Sequence, residues 1–260
     1  MNQISVVMGA YNEEATISES IESILSQTYS YWELIIIDDC STDRTAAVIK
    51  RYCDKDHRIS IHKNSQNLGL AESLNKGISL AKGPYIARMD ADDLSLPNRF
   101  EEQVKILDSD PWVMVVGSAA YYINRSNTKK KLVRMPEYHR DILRLIFKMS
   151  PFIHPSVMMR REFVSLTNGY NPKLRRAQDY DLWLRGRFIG EYYNIQVPLI
   201  LYSYQNNKMF KGFINTVQIR LKNASTMMDI FKSVYWSIYE AVFISLVFLI
   251  KIFSRKKGND

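Results

Sequence analysis

Cysteine is scarce in this chain. Only Cys40 and Cys53 occur among 260 residues. They offer no metal-type cysteine spacing, and so few thiols in so long a chain build no disulfide framework. A reducing compartment fits that usage. A leader pattern is missing as well. Asn2-Gln3 runs at once into a strand-like segment, with no charged region leading into an apolar one. The expectation is a folded body on the cytosolic side of the cell membrane, peripheral or weakly anchored. Internal repeats and low-complexity stretches are absent. So is a long basic arm with interleaved aromatics, although the formal net charge is +8. The basic residues form short clusters instead: Lys129-Lys130-Lys131, Arg160-Arg161, Arg175-Arg176 and Arg255-Lys256-Lys257. The ordinary reading of each is a solvated face. No nucleic-acid partner is expected, whereas phosphorylated ligands and an anionic membrane surface suit the charge.

What is present reads as a globular protein, because 46% hydrophobic and 24% charged residues rule out disorder as the main state. The length suits one large domain or two small ones. Up to residue 118, strand and helix patterns alternate. Ile4–Met8, Leu34–Ile37, Ile59–Ile61, Tyr85–Met89 and Val113–Gly117 read as short buried strands. Between them lie helical patterns at Glu14–Gln27, from a Ser41 or Thr42 cap through about Cys53, at Leu70–Leu80, and from Pro97 through about Leu107. Apolar strands alternating with helices mean a mostly parallel sheet covered on both faces. Ligands of such sheets bind outside the carboxyl ends of the strands. Tyr11-Asn12-Glu13, Asp38-Asp39 and Asp90-Ala91-Asp92-Asp93 follow the first, second and fourth strands, so all three sets fall on one rim.

After Ser118 the pattern changes. Tyr121–Ile123 and Leu132–Arg134 suit a hairpin with a turn over Asn124–Lys131. Helical runs follow at Arg140–Lys148 and Asp179–Phe188, and Val197–Tyr204 suits an edge strand broken by Pro198. The expected division is a ligand-binding half over residues 1–118, a second half over 119–212 in the same domain, and C-terminal helices over 213–260. Val234–Phe253 is the most apolar part. Its charge-free core, Ala241–Ile250, makes ~15 Å of helix, about half of a bilayer core. Lys251 and Arg255-Lys256-Lys257 follow, as beside an anionic lipid surface. A membrane surface is therefore an expected partner of residues 234–257. A helix packed on the body or on a second copy of the chain, and a single short span, remain open readings.

Three carboxylates within Asp90–Asp93 repel one another unless a cation intervenes, because like charges raise each other's pKa. A magnesium or manganese ion removes that conflict and completes its shell with phosphate oxygens and water. A solvated acidic turn capping the Pro97 helix is the competing explanation. Asp38-Asp39 suits either a contact to a ribose hydroxyl or base N–H, or a helix cap. Asp179 opens a helix, where a cap is commoner than a base; the helix dipole lowers its pKa unless burial compensates. His154 reads best as a satisfied structural histidine.

Together these segments resemble glycosyltransferase family 2, the inverting GT-A enzymes of bacterial polysaccharide assembly. The resemblance covers roughly residues 3 to 205. It rests on six ordered stretches: Ser5–Glu14, Ser23–Thr28, Glu33–Asp39 with Ser41-Thr42-Asp43, Asn67–Ala71, Ala87–Asp93 and Gln178–Trp183. Each is common alone; their order and separation are specific. The resemblance implies a GT-A fold and a UDP-sugar donor. By matching position it gives Ala10, Tyr11 and Glu13 to the first nucleotide loop, with Tyr11 against the base. Asp39 would read the uracil, and Asn67 and Gly69 would line the loop beside the nucleotide. Asp90 and Ala91 would lie at the ribose or diphosphate. Asp92 would hold the divalent metal, Mn2+ or Mg2+, and Asp179 would be the general base. Two positions depart from the pattern. Gly9-Ala10 stands where many members have Pro-Thr or Pro-Ala, and Gln178 replaces a frequent Glu.

The implied reaction is a direct displacement with inversion. A hexose or N-acetylhexosamine passes to a hydroxyl of a glycan acceptor, for which the apolar tail suggests a polyprenyl-diphosphate carrier. Two rivals belong to other classes. A sugar nucleotidyltransferase usually carries a Gly-rich phosphate loop with Lys or Arg near the N-terminus, which Met8–Glu14 lacks. An inactive membrane-anchored binding module would have lost one of the acids, and all are present.

Overall fold

A computed structural model describes residues 2–124, 127–203 and 213–256. Strands β1 (Ile4–Ala10), β2 (Trp32–Asp38), β3 (Ile59–Lys63) and β4 (Tyr85–Asp90) run parallel in the order β3-β2-β1-β4. Helices α1 (Ile17–Leu25), α2 (Thr45–Cys53) and α3 (Leu70–Leu80) connect them. Odd and even residues of each strand go to opposite sides. Val6, Met8, Leu34, Ile36 and Ala87 join one buried cluster. Val7, Ile35, Ile37 and Ile86 join the other. Both faces are thus dry, which is why the strands read as continuous apolar runs rather than alternating ones.

The sheet continues past β4 with a change of direction. β5 (Leu94–Ser95) and α4 (Arg99–Ser109) lead into β6 (Val113–Asn124), which pairs with β7 (Asn127–Val133). After α5 (His139–Leu145), β8 (Met158–Arg160) inserts antiparallel between β4 and β6. α6 (Arg161–Leu166) and α7 (Gln178–Gly186) precede β9 (Glu191–Ser203), which runs parallel to β6. The full order is β3-β2-β1-β4-β8-β6-β9-β5, with β7 on β6. α8 (Phe213–Lys222) and α9 (Met227–Lys256) close the chain.

The expected mostly parallel α/β sheet is present, and several local expectations change. The strands read separately at 113–117 and 121–123 are one strand, β6. The supposed edge strand at Val197 begins at Glu191 and lies inside the sheet, between β6 and β5. Pro198 is tolerated there because the register with β6 shifts on both sides of Ala119, the residue opposite it. The Pro97 helix starts at Arg99. Ser41 and Thr42 do not cap α2; Asp43 Oδ1 accepts the Thr45 N–H at 2.9 Å instead. Residues 125–126 of the expected hairpin turn, Tyr204, and the basic residue Lys257 lie outside the described residues.

The C-terminal helices are tied to the body by buried arginines. Arg220 donates to Lys148 O at 2.8 Å and to Glu240 Oε2 at 2.9 Å. Arg187 reaches Asn223 O at 2.8 Å and Ser225 Oγ at 2.9 Å. Glu240, the acid within Val234–Phe253, is therefore paired with Arg220. Among the described residues, no helix is long and apolar enough to cross a membrane.

Candidate functional site

Register brings the acidic segments together. Ala10 pairs with Asp38, and Gly9 with Asp90, so β1, β2 and β4 end level. The segments after them form one rim, as the strand-end rule requires.

The first two loops hold each other. Asn12 takes a left-handed conformation, φ 56°, and its side-chain oxygen accepts the Thr42 N–H at 2.9 Å. Its own N–H donates to Ser41 Oγ at 3.1 Å. The Glu13 N–H donates to Thr45 Oγ1 at 2.7 Å, and Thr16 Oγ1 donates to Glu13 Oε2 at 2.7 Å. Ser41 and Thr42 thereby serve the Tyr11 loop and leave Tyr11 exposed beside it.

Asp39 is buried, and its carboxylate organises the third loop. Oδ1 accepts the Leu68 N–H at 2.9 Å and Asn64 Nδ2 at 2.8 Å; Oδ2 accepts the Gly69 N–H at 2.8 Å. A carboxylate offers about four lone-pair sites, so Asp39 keeps acceptor capacity on Oδ2. Gly69 has φ 91° and ψ 165°, a conformation essentially restricted to glycine. Asn67 is exposed on this loop.

The acidic cluster is clamped from both sides. Ser20 Oγ donates to Asp93 O at 2.5 Å. From β9, the Ser203 N–H donates to Asp93 Oδ1 at 2.7 Å and Ser203 Oγ to Asp92 O at 2.5 Å. Asp93 therefore anchors the end of β9, and the Pro97 helix, N-capped at Asn98, has no side-chain cap from the acidic turn. Burial, then the Asp90 and Asp92 charges, push the Asp93 carboxyl well above the usual carboxylate range. Asp90 is ion-paired with Arg88, itself buried on β4. One ligand atom each from Asp90, Asp92 and Asp93 lie within 4.8 Å of one another. Asp93 Oδ2 is buried without a hydrogen-bond partner. An all-oxygen acid set of this kind fits a hard divalent cation.

Two cavities open on this rim. The first, of about 390 Å³, is lined by Ala10, Tyr11, Glu13, Asp39, Asp90, Ala91 and Asp92. Those seven expected residues are thus brought together; Asn67 and Gly69 support the wall without lining it. The second, of about 570 Å³, is lined by Asp179, His154, Phe152, Arg175 and Arg176. Arg88, Asp90, Leu70 and Tyr202 line both. Asp179 is the second residue of α7, whose N-cap residue Ala177 has φ 54°. Burial raises the Asp179 carboxyl above the ordinary value, against the pull of the Tyr180 N–H and Arg88. Burial therefore overcomes the helix-end effect, which suits a base. His154 Nε2 lies 2.8 Å from Tyr170 Oη. Burial, then the Arg88 charge, hold its ring well below the normal histidine pKa, so it is neutral.

Sequence reasoning missed Arg88, Ser203 and Tyr202. Arg88 left a signal, a charge inside a run that otherwise reads as buried strand, where an unpaired arginine is rare. Ser203 and Tyr202 left none, because only the β9 register carries them to the acids.

The Glycosyl transferase family 2 profile matches residues 5–166. The putative glycosyltransferase EpsE of Bacillus subtilis is 43% identical over 188 residues, covering 70% of this chain and 66% of that protein. The O-antigen biosynthesis glycosyltransferase WbnJ of Escherichia coli is 36% identical over 190 residues, 71% of this chain and 72% of the relative. The chain spans about two thirds of the length of several relatives. Among solved structures, Staphylococcus aureus TarS 1–349 in complex with UDP superposes with a TM-score of 0.65 at 18% identity, covering 88% of this chain and 68% of that one. The mannosyltransferase PcManGT of Pyrobaculum calidifontis, in complex with GDP-Man and Mn2+, gives 0.64 at 20% identity, 86% and 63% coverage. Likeness at such identity shows the fold, which is GT-A. With the rim, the fold and the profile in agreement, the chain belongs to glycosyl transferase family 2.

Proposed function

We propose that the chain is a metal-dependent inverting glycosyltransferase that moves a hexose or N-acetylhexosamine from a UDP-sugar to a glycan hydroxyl. One observation carries the reading: an acid-lined cavity and a cavity holding a candidate base share a wall at Arg88 and Asp90. Donor and acceptor can then meet across one boundary, which is what a direct displacement needs. Residues 1–118 would serve the donor and 119–212 the acceptor. TarS has been solved with UDP and with UDP-GlcNAc, which supports that donor class. WbnJ and the amylovoran biosynthesis enzyme AmsE support a place in cell-surface polysaccharide assembly.

In this reading Tyr11 lies against the base, and Asp39 accepts from the uracil on the lone pair that its loop leaves. Asp90 is oriented by Arg88 towards the ribose or diphosphate. Asp92 holds a manganese or magnesium ion beside Asp93. When bound, that ion supplies charge neutralisation to the departing diphosphate. Asp179 accepts the proton of the attacking hydroxyl, and the acceptor oxygen displaces UDP with inversion. A nucleotidyltransferase reading gains no support, since the Met8–Glu14 loop is held by Ser41, Thr42 and Thr45 rather than built around glycines and a lysine.

The membrane reading rests on α9. Met228, Phe231, Tyr235, Ile238 and Val242 lie exposed along it. Their spacing makes an apolar face, and Lys251 follows. Such a face suits the cytosolic surface of a membrane that carries a polyprenyl-linked acceptor.

The test is a donor screen with purified protein and manganese, measuring released nucleotide and product anomer. UDP release with inversion is expected from one UDP-sugar. Asp92→Ala should lower transfer at least ~100-fold, the scale of losing a charge-stabilising group. Pyrophosphate as product, or full activity after EDTA treatment, would reject the reading.

A further inference from the structure

The cavity beside Asp179 is more basic than a neutral sugar requires. Arg175 and Arg176 line it next to each other, and Arg88 forms part of its inner wall. Of the acids in that wall, Asp90 is already paired with Arg88. Among the described residues, no ion pair involves Arg175 or Arg176. Neither lines the donor cavity.

Arg175 and Arg176 are both exposed, but Arg175 has a fixed neighbour. It lies across the bare backbone of Gly69, where an added Cβ would come within 2.8 Å of Nη1 and 3.6 Å of Cζ. The bare glycine thus leaves room for one guanidinium at the cavity edge. Deeper in, Gln178 is 8% exposed and its Oε1 has no hydrogen-bond partner; Arg88 is 3% exposed and its Nε and Nη1 have none. Phe152, Ile153 and Pro155 add apolar surface to a wall that also holds His154, Asp179, Tyr122 and Tyr202. Paired guanidiniums match the oxygens of phosphate in geometry and charge, whereas hydroxyls are usually met by carboxylates and amides. Apolar surface beside such a pair suits a ligand that joins an anion to a hydrocarbon or a sugar ring.

We propose that Arg175 and Arg176 form an anion subsite that holds a phosphate or diphosphate of the acceptor within the Asp179 cavity. This rests on the reading of that cavity as the acceptor side, and it adds what the acceptor must carry: a negative charge close to the hydroxyl that reacts.

Titration calorimetry on the full chain, saturated with UDP and manganese, tests it with citronellyl diphosphate and the neutral alcohol citronellol. The diphosphate should bind and the alcohol should not. Arg175→Ala and Arg176→Ala should each weaken diphosphate binding about tenfold, the scale of one charge-assisted contact. The double lysine variant should lose less, since charge is kept while the fork geometry is not. UDP affinity should be unchanged in all of them, which also reports that they fold. Equal diphosphate affinity in wild type and the double alanine variant overturns the proposal. So does equal binding of citronellol, or a matching loss of UDP affinity, which would give the arginines to the donor. If the wild type fails to bind UDP, the transferase reading falls, and the same diphosphate titration without UDP still reads the subsite.

Discussion

The two cavities, proposed for donor and acceptor, share a wall but are built differently. The donor rim is made by loops that bond to one another. Asp39 spends its carboxylate on Asn64, Leu68 and Gly69, and Asn12 and Thr42 lock the first loop to the second. The acceptor cavity is made by side chains from distant segments: Tyr122 on β6, Phe152 and His154 before β8, Arg175 and Arg176 before α7. One site is fixed by backbone and the other by reach. A rim of backbone donors binds a constant group, such as a nucleotide. A cavity whose edge carries exposed long side chains, here Arg175 and Arg176, can change its ligand by substitution without disturbing the sheet.

The largest expected effect separates the two sites by chemistry. Asp179→Asn should lower the transfer rate at least ~100-fold, as removal of a general base does. UDP affinity should stay at the wild-type value, because Asp179 does not line the donor cavity. The pH profile sharpens this. In its proposed role Asp179 works as carboxylate, and burial raises its pKa. Activity should therefore fall as pH drops through a value above the usual carboxylate range, and the Asn variant should lack that limb. Steady-state rates from pH 4 to 9 measure it. A limb within the ordinary carboxylate range would remove Asp179 from the role.

This contrast also explains what was legible in the sequence. The donor rim was readable because parallel strands deliver the residues that follow them to one edge. Once Ile4–Met8, Leu34–Ile37 and Tyr85–Met89 are strands, Tyr11, Asp39 and Asp90 must be neighbours. Nothing comparable holds beyond Ser118. β8 inserts antiparallel between β4 and β6 although it follows both in sequence, and it is only three residues long. β9 carries Tyr202 and Ser203 to the acids through a register that shifts opposite Pro198. Such placements follow from long-range pairing, not from local pattern. Local propensity likewise misplaced Ser41 and Thr42 as caps, because their partners are the Asn12 backbone and side chain, about 30 residues away.

A smaller effect belongs to the donor rim. Gly69→Ala should cost about 1–3 kcal/mol, since φ 91° and ψ 165° disfavour any Cβ. The same Cβ would push Arg175 away. Both cavities should respond. UDP affinity should fall because the Gly69 N–H to Asp39 bond is disturbed, and citronellyl diphosphate affinity because Arg175 moves. Calorimetry with each ligand, beside a thermal melt, reads this. A loss confined to UDP would break the link between Gly69 and the acceptor side.

Ser203→Ala should have the smallest effect and asks whether the two sites are coupled at all. The variant keeps the N–H that Asp93 accepts and loses the hydroxyl bond to Asp92 O. One such bond is worth about 0.5–1.5 kcal/mol, so a change of roughly 2- to 10-fold is the ceiling. Because Ser203 ends the strand that also carries Tyr202 into both cavities, loosening it should raise the manganese Kd and the acceptor KM together. If the manganese Kd alone changes, the acidic cluster is organised from the donor side only, by Ser20 and Arg88. The shared wall would then be a boundary and not a joint.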